Sequence, residues 1–202
     1  MITAYLWTTP NGYKVAIALE EMGLDYTIEW INIGSGEQHE PEYLKISPNG
    51  KIPAIFDHDA GISLMESGAI LQYLAEKTGR FGGETPRDRA AVTQWLHWQM
   101  GGLGPMMGQA NHFRGLKDKV PYGETRYMNE SVRLFGVLDK QLEGREYIAG
   151  DYSIADMAAV PWAGMAPMLK DDRFTSCTNV MAWIDRNVAR PATARAVALR
   201  PG

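Results

Sequence analysis

The sequence predicts an α/β domain followed by an all-helical domain. Three observations support this fold class. The first eighty residues mix strand-like and helix-like patterns, a stretch at 79–86 is rich in glycine and proline without any period, and the patterns beyond it are helical. We therefore expect domains at 1–79 and 88–202, joined by a linker at 80–87. A chain of 202 residues with 45% apolar residues is large enough for one domain or two small ones.

The N-terminal region predicts a β-α-β unit. Residues 2–7 are strand-like, and an apolar helix face follows in which Val15, Ala18, Leu19 and Met22 recur at i, i+3, i+4 and i+7. Gly23 fits the end of this helix. Residues 25–31 alternate with period two, so they predict a second strand, parallel to the first.

A loop and a β-β-α unit complete the first domain. Pro48-Asn49-Gly50 is a turn, and the strand-like run at 51–56 contains Pro53 near its start. A proline there indicates either an edge strand or a functional proline in the cis form. A hairpin turn at 59–61 leads into a strand at 62–65, and Glu66-Ser67-Gly68 opens a helix.

The second half has helical patterns throughout. We predict helices over 88–100, 122–142, 180–188 and 192–199. Ser153-Ile154-Ala155-Asp156 precedes an apolar run and matches a capping box with aspartate at its third helical position.

Composition excludes several functional classes. A net charge of −4 leaves no basic stripe for a nucleic acid, and no apolar run is long enough to cross a bilayer. Met1 leads directly into a strand-like segment, which argues against a signal peptide. The single cysteine, Cys177, cannot form an internal disulfide, which favours a reducing, cytoplasmic location. The four histidines lack metal-ligand spacing, so we expect no metal.

The first strand-to-helix turn raises a question of chemistry. In some small α/β domains this turn carries a Cys-x-x-Cys pair, but here it is Thr8-Thr9-Pro10-Asn11-Gly12. The turn alone favours a structural interpretation, in which Asn11-Gly12 shapes the turn and Thr9 caps the helix. Gly12 is expected to allow close backbone approach.

Several motifs occur in an order that resembles the cytosolic glutathione transferases. They are Thr9-Pro10-Asn11-Gly12, Asn49-Gly50-Lys51-Ile52-Pro53-Ala54, Glu66-Ser67-Gly68-Ala69-Ile70 and Tyr152-Ser153-Ile154-Ala155-Asp156. The runs at 94–99 and 101–106 are similar to the bacterial Nu class, known for glutathione-dependent disulfide reduction. The resemblance implies a thioredoxin-like N-terminal domain, glutathione as cosubstrate and a homodimer. The loop between Phe56 and Ile62 is shorter than in that class.

The resemblance assigns the chemistry of the thiol to the first turn. Glutathione brings its own thiol, whose pKa is near 8.5, and a helix N-terminus stabilises the thiolate. Asn11 and Thr9 are the implied donors to the sulfur and hence the candidate catalytic residues. Tyr5 lies too early in the first strand for this role, so we expect it to pack.

Other motif residues are implied to bind the rest of glutathione. A cis Ile52-Pro53 bond would turn the Ile52 main chain toward the cysteinyl unit, which pairs like an added strand. Glu66 and Ser67 suit the ammonium and carboxylate of the γ-glutamyl end. The remaining implied glutathione contacts are Gln38 and, more weakly, Lys51 at the glycyl carboxylate, and Arg126 at the γ-glutamyl carboxylate.

Candidates for a second-substrate pocket come from both halves of the chain. They are Trp7, Met106, Met107, Asn111, His112 and Phe113. Methionine-rich surfaces adapt to varied ligands, although helix core is the alternative for at least half of these residues. His112 is a candidate general acid or merely a polar surface residue, and Cys177 is expected to be structural.

The predicted activity is glutathione-dependent reduction of small disulfides. Conjugation of electrophiles and reduction of hydroperoxides are alternatives on the same site. A non-catalytic glutathione-binding regulatory module is an alternative of another class, because a fold does not define an activity. The expected partners are glutathione and a small disulfide or electrophile, with no nucleic acid and no membrane.

Overall fold

A computed structural model describes residues 1–201, in which four strands and ten α-helices form two compact units. The strands are β1 (Ile2–Leu6), β2 (Tyr26–Trp30), β3 (Ala54–Asp57) and β4 (Ile62–Met65). The helices are α1 (Pro10–Met22), α2 (Pro41–Ile46), α3 (Ser67–Thr78), α4 (Pro86–Trp98), α5 (Gly104–Gly115), α6 (Pro121–Gln141), α7 (Ile154–Ala163), α8 (Asp172–Thr175), α9 (Thr178–Val188) and α10 (Pro191–Ala198). The predicted fold class, an α/β part followed by a helical part, is confirmed.

The first unit contains a four-stranded mixed sheet in the order β2-β1-β3-β4. β1 pairs with β2 in parallel, as the β-α-β pattern predicted, and with β3 in the antiparallel sense. Ala4 pairs with Ile28 on one side and Ile55 on the other, and Ala4 and Ile55 are fully buried. The βαβ-ββα order of a thioredoxin-like domain is therefore present.

The position of Pro53 shows that the first of its two sequence-based interpretations, an edge strand, is wrong. An edge strand was one interpretation of a proline here, but β3 lies inside the sheet between β1 and β4. The strand begins at Ala54, so the proline removes no hydrogen bond from either ladder. The Ile52-Pro53 bond is cis, which is the other alternative.

The connection between β2 and β3 contains more structure than the predicted loop. A 3₁₀ turn covers Glu37–His39, and α2 follows with Pro41 at its first position. The six residues of α2 make fewer than two turns, too few for a helical period to be visible in the sequence.

A buried carboxylate closes the β3-β4 hairpin. Asp57 is 0% exposed and lies 2.6 Å from Lys77 Nζ, accepts from the Tyr73 hydroxyl at 2.6 Å and accepts from the Asp59 N–H at 3.0 Å. Burial alone would raise the pKa of Asp57, but these donors outweigh it and lower the pKa to about 2.

Replacing Asp57 with asparagine is expected to lower the free energy of unfolding more at neutral pH than in acid. The folded pKa lies below the unfolded one, so the stabilisation is present above about pH 4 and is lost as pH falls through 2. We expect Asp57→Asn to lower the free energy of unfolding by about 2 kcal/mol at pH 7, the size set by the lowered pKa of Asp57, because the carboxylate charge that pairs with Lys77 is removed. Urea titrations at pH 7 and pH 3 measure this, with Asp118→Asn as an exposed control. An equal loss at both pH values would contradict the account.

The second unit, residues 81–189, is helical. Both α4 and α7 begin with a capping box, from Thr85 with Asp88 and from Ser153 with Asp156, the second of which the sequence predicted. A π-helical segment at Gln99–Leu103 joins α4 to α5. Phe135 and Phe174 pack edge to face at 4.6 Å in the core of this unit.

The C-terminal helix belongs to the first unit. α10 packs on α1, where Arg190 forms a two-pronged ion pair with Glu21 at 2.6 and 2.9 Å, and Arg195 contacts Glu20 at 2.5 Å. The first unit is thus Met1–Arg80 together with the described residues from Arg190 onward. The structure therefore differs from the predicted second domain of 88–202 at its C-terminal end; the linker at 80–87 stays a prediction.

Candidate functional site

The start of α1 is defined by a threonine cap. Thr9 is extended (φ −130°, ψ 160°) and its Oγ1 accepts a hydrogen bond from the Gly12 N–H at 3.2 Å. A hydroxyl that accepts in this way keeps its own proton as a donor. The capping role and the predicted role toward a sulfur are therefore compatible. Pro10 and Asn11 occupy the first two helical positions, at the positive end of the helix dipole.

Gly12 is structural, as the sequence indicated. A Cβ at this position would lie 2.2 Å from the carbonyl oxygen of Trp7, closer than any real contact. Glycine thus lets the first turn of α1 fold back against the end of β1.

The segment before β3 forms a second side of the site. Two buried side chains donate to the carbonyl of Lys51: the Tyr43 hydroxyl at 2.8 Å and Ser47 Oγ at 2.9 Å. The ladders of β3 begin at Ala54, so the Ile52 main chain lies outside the strand pairing. This main chain can pair with an extended ligand.

The start of α3 forms the third side. Glu66 precedes the helix with φ 69° and ψ 112°, a left-handed conformation that is rare for a residue with a side chain. Such backbone outliers cluster at ligand sites. The Glu66 carboxylate is exposed and accepts from Asn49 Nδ2 at 3.5 Å, whereas Ser67, the first helical residue, is 6% exposed.

These three segments enclose one pocket. It is lined by Asn11, Ser47, Asn49, Lys51, Ile52, Pro53, Met65, Glu66 and Ser67. Its volume is about 80 Å³, well below the volume of at least about 300 Å³ that is typical of a pocket for a whole drug-sized ligand. It therefore suits one polar end of an extended ligand, with the remainder lying across the surface of the unit.

The pocket brings together six of the predicted residues and adds three. Asn11, Lys51, Ile52, Pro53, Glu66 and Ser67 were predicted from motifs far apart in the sequence. Ser47, Asn49 and Met65 were missed as site residues. Asn49 had a visible signal, since it stands in the Pro48-Asn49-Gly50 turn that carries one of the motifs.

A buried lysine was also missed. Lys14 on α1 is 2% exposed, and its Nζ donates to Ser67 Oγ at 3.4 Å. Burial lowers the pKa of Lys14 to about 7, partly opposed by the charge of Glu66. One signal was present: Lys14 stands three residues after Asn11, so the two share a helix face.

Thr9, Gln38 and Tyr5 lie in the same unit but do not line the pocket. Gln38 Nε2 is 3.2 Å from His39 Nε2, and its buried Oε1 has no hydrogen-bond partner among the described residues. Tyr5 packs edge to face on Tyr43 at 5.9 Å, and burial raises the pKa of its hydroxyl. A packing role for Tyr5 agrees with the sequence-based expectation.

The predicted second-substrate residues are divided between the two units. Trp7, in the first unit, packs edge to face on Trp30 at 6.4 Å. On α5, Met107 is 1% exposed, which favours a core role for it. Asn111 and His112 are exposed, Met106 is half-buried, and Phe113 stacks on Tyr127 at 5.3 Å.

The second unit has a larger, open pocket of about 420 Å³. Asn111 is the predicted residue that lines it, together with Arg114, Gly115, Lys119, Glu124, Met168 and Lys170. Arg126 lies on α6, exposed to solvent, in this same unit. Its contact with glutathione stays a prediction.

Residues 1–201 offer neither a metal centre nor a membrane-spanning helix. These residues contain no cluster of three or more histidine, cysteine or acidic side chains able to hold a metal ion. None of their helices is both long enough and apolar enough to cross a membrane.

The fold and pocket define a thioredoxin-like unit without a thiol of its own, followed by a helical unit. The chain belongs to the glutathione S-transferase family: the profile of that family's N-terminal domain matches residues 8–77, and that of its C-terminal domain matches 125–191. The disulfide-bond oxidoreductase YfcG of Escherichia coli K12 is 48% identical, over 98% of this chain and 94% of its own.

Solved structures agree with this family assignment. A glutathione transferase from Pseudomonas putida, with one glutathione disulfide bound per subunit, has a TM-score of 0.91 at 39% identity, covering 99% of this chain and 92% of that one. A glutathione transferase from Burkholderia graminis, with two glutathione molecules bound per subunit, has a TM-score of 0.92 at 41% identity, covering 97% of this chain and 87% of that one.

Proposed function

We propose that this protein binds glutathione along its first unit, activates the thiol and uses it to reduce small disulfides. The observation that carries the proposal is the single pocket that unites the N-terminus of α1, the Ile52-Pro53 segment and the start of α3. The similarity of the chain to a disulfide-bond oxidoreductase, and to transferases solved with glutathione or glutathione disulfide, supports the same activity.

Each part of the pocket has a chemical role in this proposal. Asn11 and Thr9 donate to the sulfur at the positive end of α1, which favours the thiolate. The Ile52 main chain pairs with the cysteinyl unit. Ser67 and the N–H groups of α3 bind the γ-glutamyl carboxylate, Glu66 binds the ammonium, and Gln38 and Lys51 bind the glycyl carboxylate.

The reaction is two successive thiol–disulfide exchanges. The glutathione thiolate attacks one sulfur of the substrate disulfide, the S–S bond breaks, and the leaving thiolate takes up a proton. A second glutathione, as thiolate, attacks the mixed disulfide and releases the second substrate thiol. Two glutathiones are oxidised to one glutathione disulfide, and one substrate disulfide is reduced to two thiols.

A paired assay tests this function. Turnover of glutathione with 2-hydroxyethyl disulfide is measured beside conjugation to an aryl halide on the same preparation. We expect rapid disulfide turnover and weak conjugation. The reverse result would make the protein a conjugating transferase. Glutathione binding without either activity would favour a regulatory module.

We also propose finer assignments for this chain. It is a member of the Nu class, on the basis of the motifs at 94–99 and 101–106, and works as a homodimer in the cytoplasm. The single cysteine supports the reducing location. Sedimentation of the purified protein measures the oligomeric state, and a sedimenting monomer would contradict the dimer.

A further inference from the structure

Lys14 contacts the pocket through one intermediate residue. It does not line the pocket itself, but its Nζ donates to the hydroxyl of Ser67, which does. Hydrogen bonds in series polarise one another, so a hydroxyl that accepts from an ammonium becomes a better donor through its own proton. The contact therefore favours donation from Ser67 to an anionic ligand.

The charge of Lys14 is sensitive to what binds nearby. Its side chain is 2% exposed, and a buried ammonium is stable only when anions or polar groups compensate it. On the helices packed against α1, Arg195 of α10 pairs with Glu20 and Lys77 of α3 binds Asp57 together with Tyr73, whereas Glu76 of α3 is exposed. Arg190, just before α10, pairs with Glu21. The charge of Glu66 raises the pKa of Lys14 and so favours its ammonium form.

We propose that Lys14 is a positioning residue that orients Ser67 and takes up a proton when a carboxylate ligand binds at the start of α3. The inference rests on the proposed function, since the ligand is the α-carboxylate of a γ-glutamyl group. Lys14 acts through Ser67 and not by contact with the ligand. It makes this end of the site selective for an anion.

The proposal has a defined pH dependence. Without ligand, burial keeps the pKa of Lys14 near 7, so part of the population is neutral at pH 7 to 8. A carboxylate added beside Ser67 raises the pKa of Lys14, because it stabilises the charged form. Binding therefore takes up protons above pH 7, and affinity falls as pH rises from about 7 to 8.5, by up to tenfold for each unit of pKa shift.

Calorimetry with S-methylglutathione measures this uptake directly. The methyl group removes the thiol titration, which would otherwise dominate the pH profile. Titrations at pH 7.5 in phosphate and in Tris, buffers with different ionisation enthalpies, yield the number of protons bound. We expect uptake of about half a proton by the wild-type protein, the order set by a group with a pKa near 7. Absence of uptake would overturn the role of Lys14.

Variants and a truncated ligand separate positioning from packing. Lys14→Met keeps an unbranched side chain, one heavy atom shorter, and removes the charge. Lys140→Met removes an exposed lysine on α6 as the control. We expect Lys14→Met to abolish proton uptake and to weaken the binding of S-methylglutathione about tenfold at pH 6.5. The analogue that lacks the γ-glutamyl α-carboxylate should bind Lys14→Met and wild type equally.

A cycle with Ser67→Ala tests whether Lys14 acts through the hydroxyl. The loss of affinity for S-methylglutathione that Lys14→Met causes should be much smaller in the Ser67→Ala background, because the two residues are coupled. Additive losses, or equal weakening of both ligands by Lys14→Met, would overturn the proposal. If the wild-type protein binds no S-methylglutathione at all, the proposed function itself is wrong.

Discussion

Replacing Thr9 with valine and Asn11 with alanine together is expected to lower kcat/KM for glutathione-dependent disulfide reduction by about 100-fold near pH 6.5. Both residues stand at the positive end of α1, where they stabilise the thiolate in the proposed mechanism. Without them the thiol pKa returns toward about 8.5, so less thiolate is present. The acid limb of the pH–rate profile should therefore move to higher pH.

Single variants separate this chemistry from helix capping. Thr9 also caps α1, so its loss costs about 1 kcal/mol of stability whatever its role in turnover. Thr9→Ser keeps the hydroxyl and should retain both stability and activity. Asn11→Asp is the sharper test, because an acid in the first turn stabilises the helix while it repels a thiolate.

The expected result for Asn11→Asp is lower activity in a protein with an equal or higher melting temperature. Unchanged turnover in the Thr9→Val, Asn11→Ala double variant would show that these residues do not activate the thiol. Unchanged glutathione affinity alongside lost turnover would agree with a role at the sulfur.

Replacing Asp156 with alanine is expected to cause the largest loss of stability in the second unit. Its carboxylate is 0% exposed and accepts from the Ile148 N–H at 3.0 Å, the Trp183 Nε1–H at 2.8 Å and both the N–H and hydroxyl of Ser153. Alanine leaves these buried donors without an acceptor. At about 1–3 kcal/mol for each, we expect a total loss on the order of 5 kcal/mol, measured by urea unfolding.

Asparagine at this position separates the charge from the hydrogen bonds. Burial raises the pKa of Asp156 to about 6, although the donors from Ile148, Trp183 and Ser153 oppose the shift. Because the folded pKa lies above the unfolded one, the stabilisation is present below about pH 4 and is lost as pH rises through 6. The free energy of unfolding of Asp156→Asn should therefore lie closer to that of the wild type at pH 8 than at pH 5. A constant deficit would mean that Asp156 does not change its charge in this range.

Local patterns were sufficient for most of the secondary structure. The apolar period of α1, the alternation of β2 and the Ser153–Asp156 capping box depend on contacts within a few residues, which the sequence displays directly. The same holds for the end of α1, where Gly23 adopts the left-handed conformation (φ 65°) that its position predicted. Six pocket residues were also predicted, but through motif resemblance, since nothing local places Asn11 beside Ser67.

Long-range packing accounts for what the sequence did not reveal. The interior position of β3 depends on which strands pair, and the attachment of α10 to α1 depends on ion pairs such as that of Arg190 with Glu21, 169 residues apart. Lys14 is the clearest case. A lysine in an amphipathic helix predicts a solvated side chain. Only the tertiary structure, in which α3 and α10 pack on α1, buries Lys14 beside Ser67 and lowers its pKa. Burial and charge environment arise from residues far apart in the chain, so they exist only once the fold has formed.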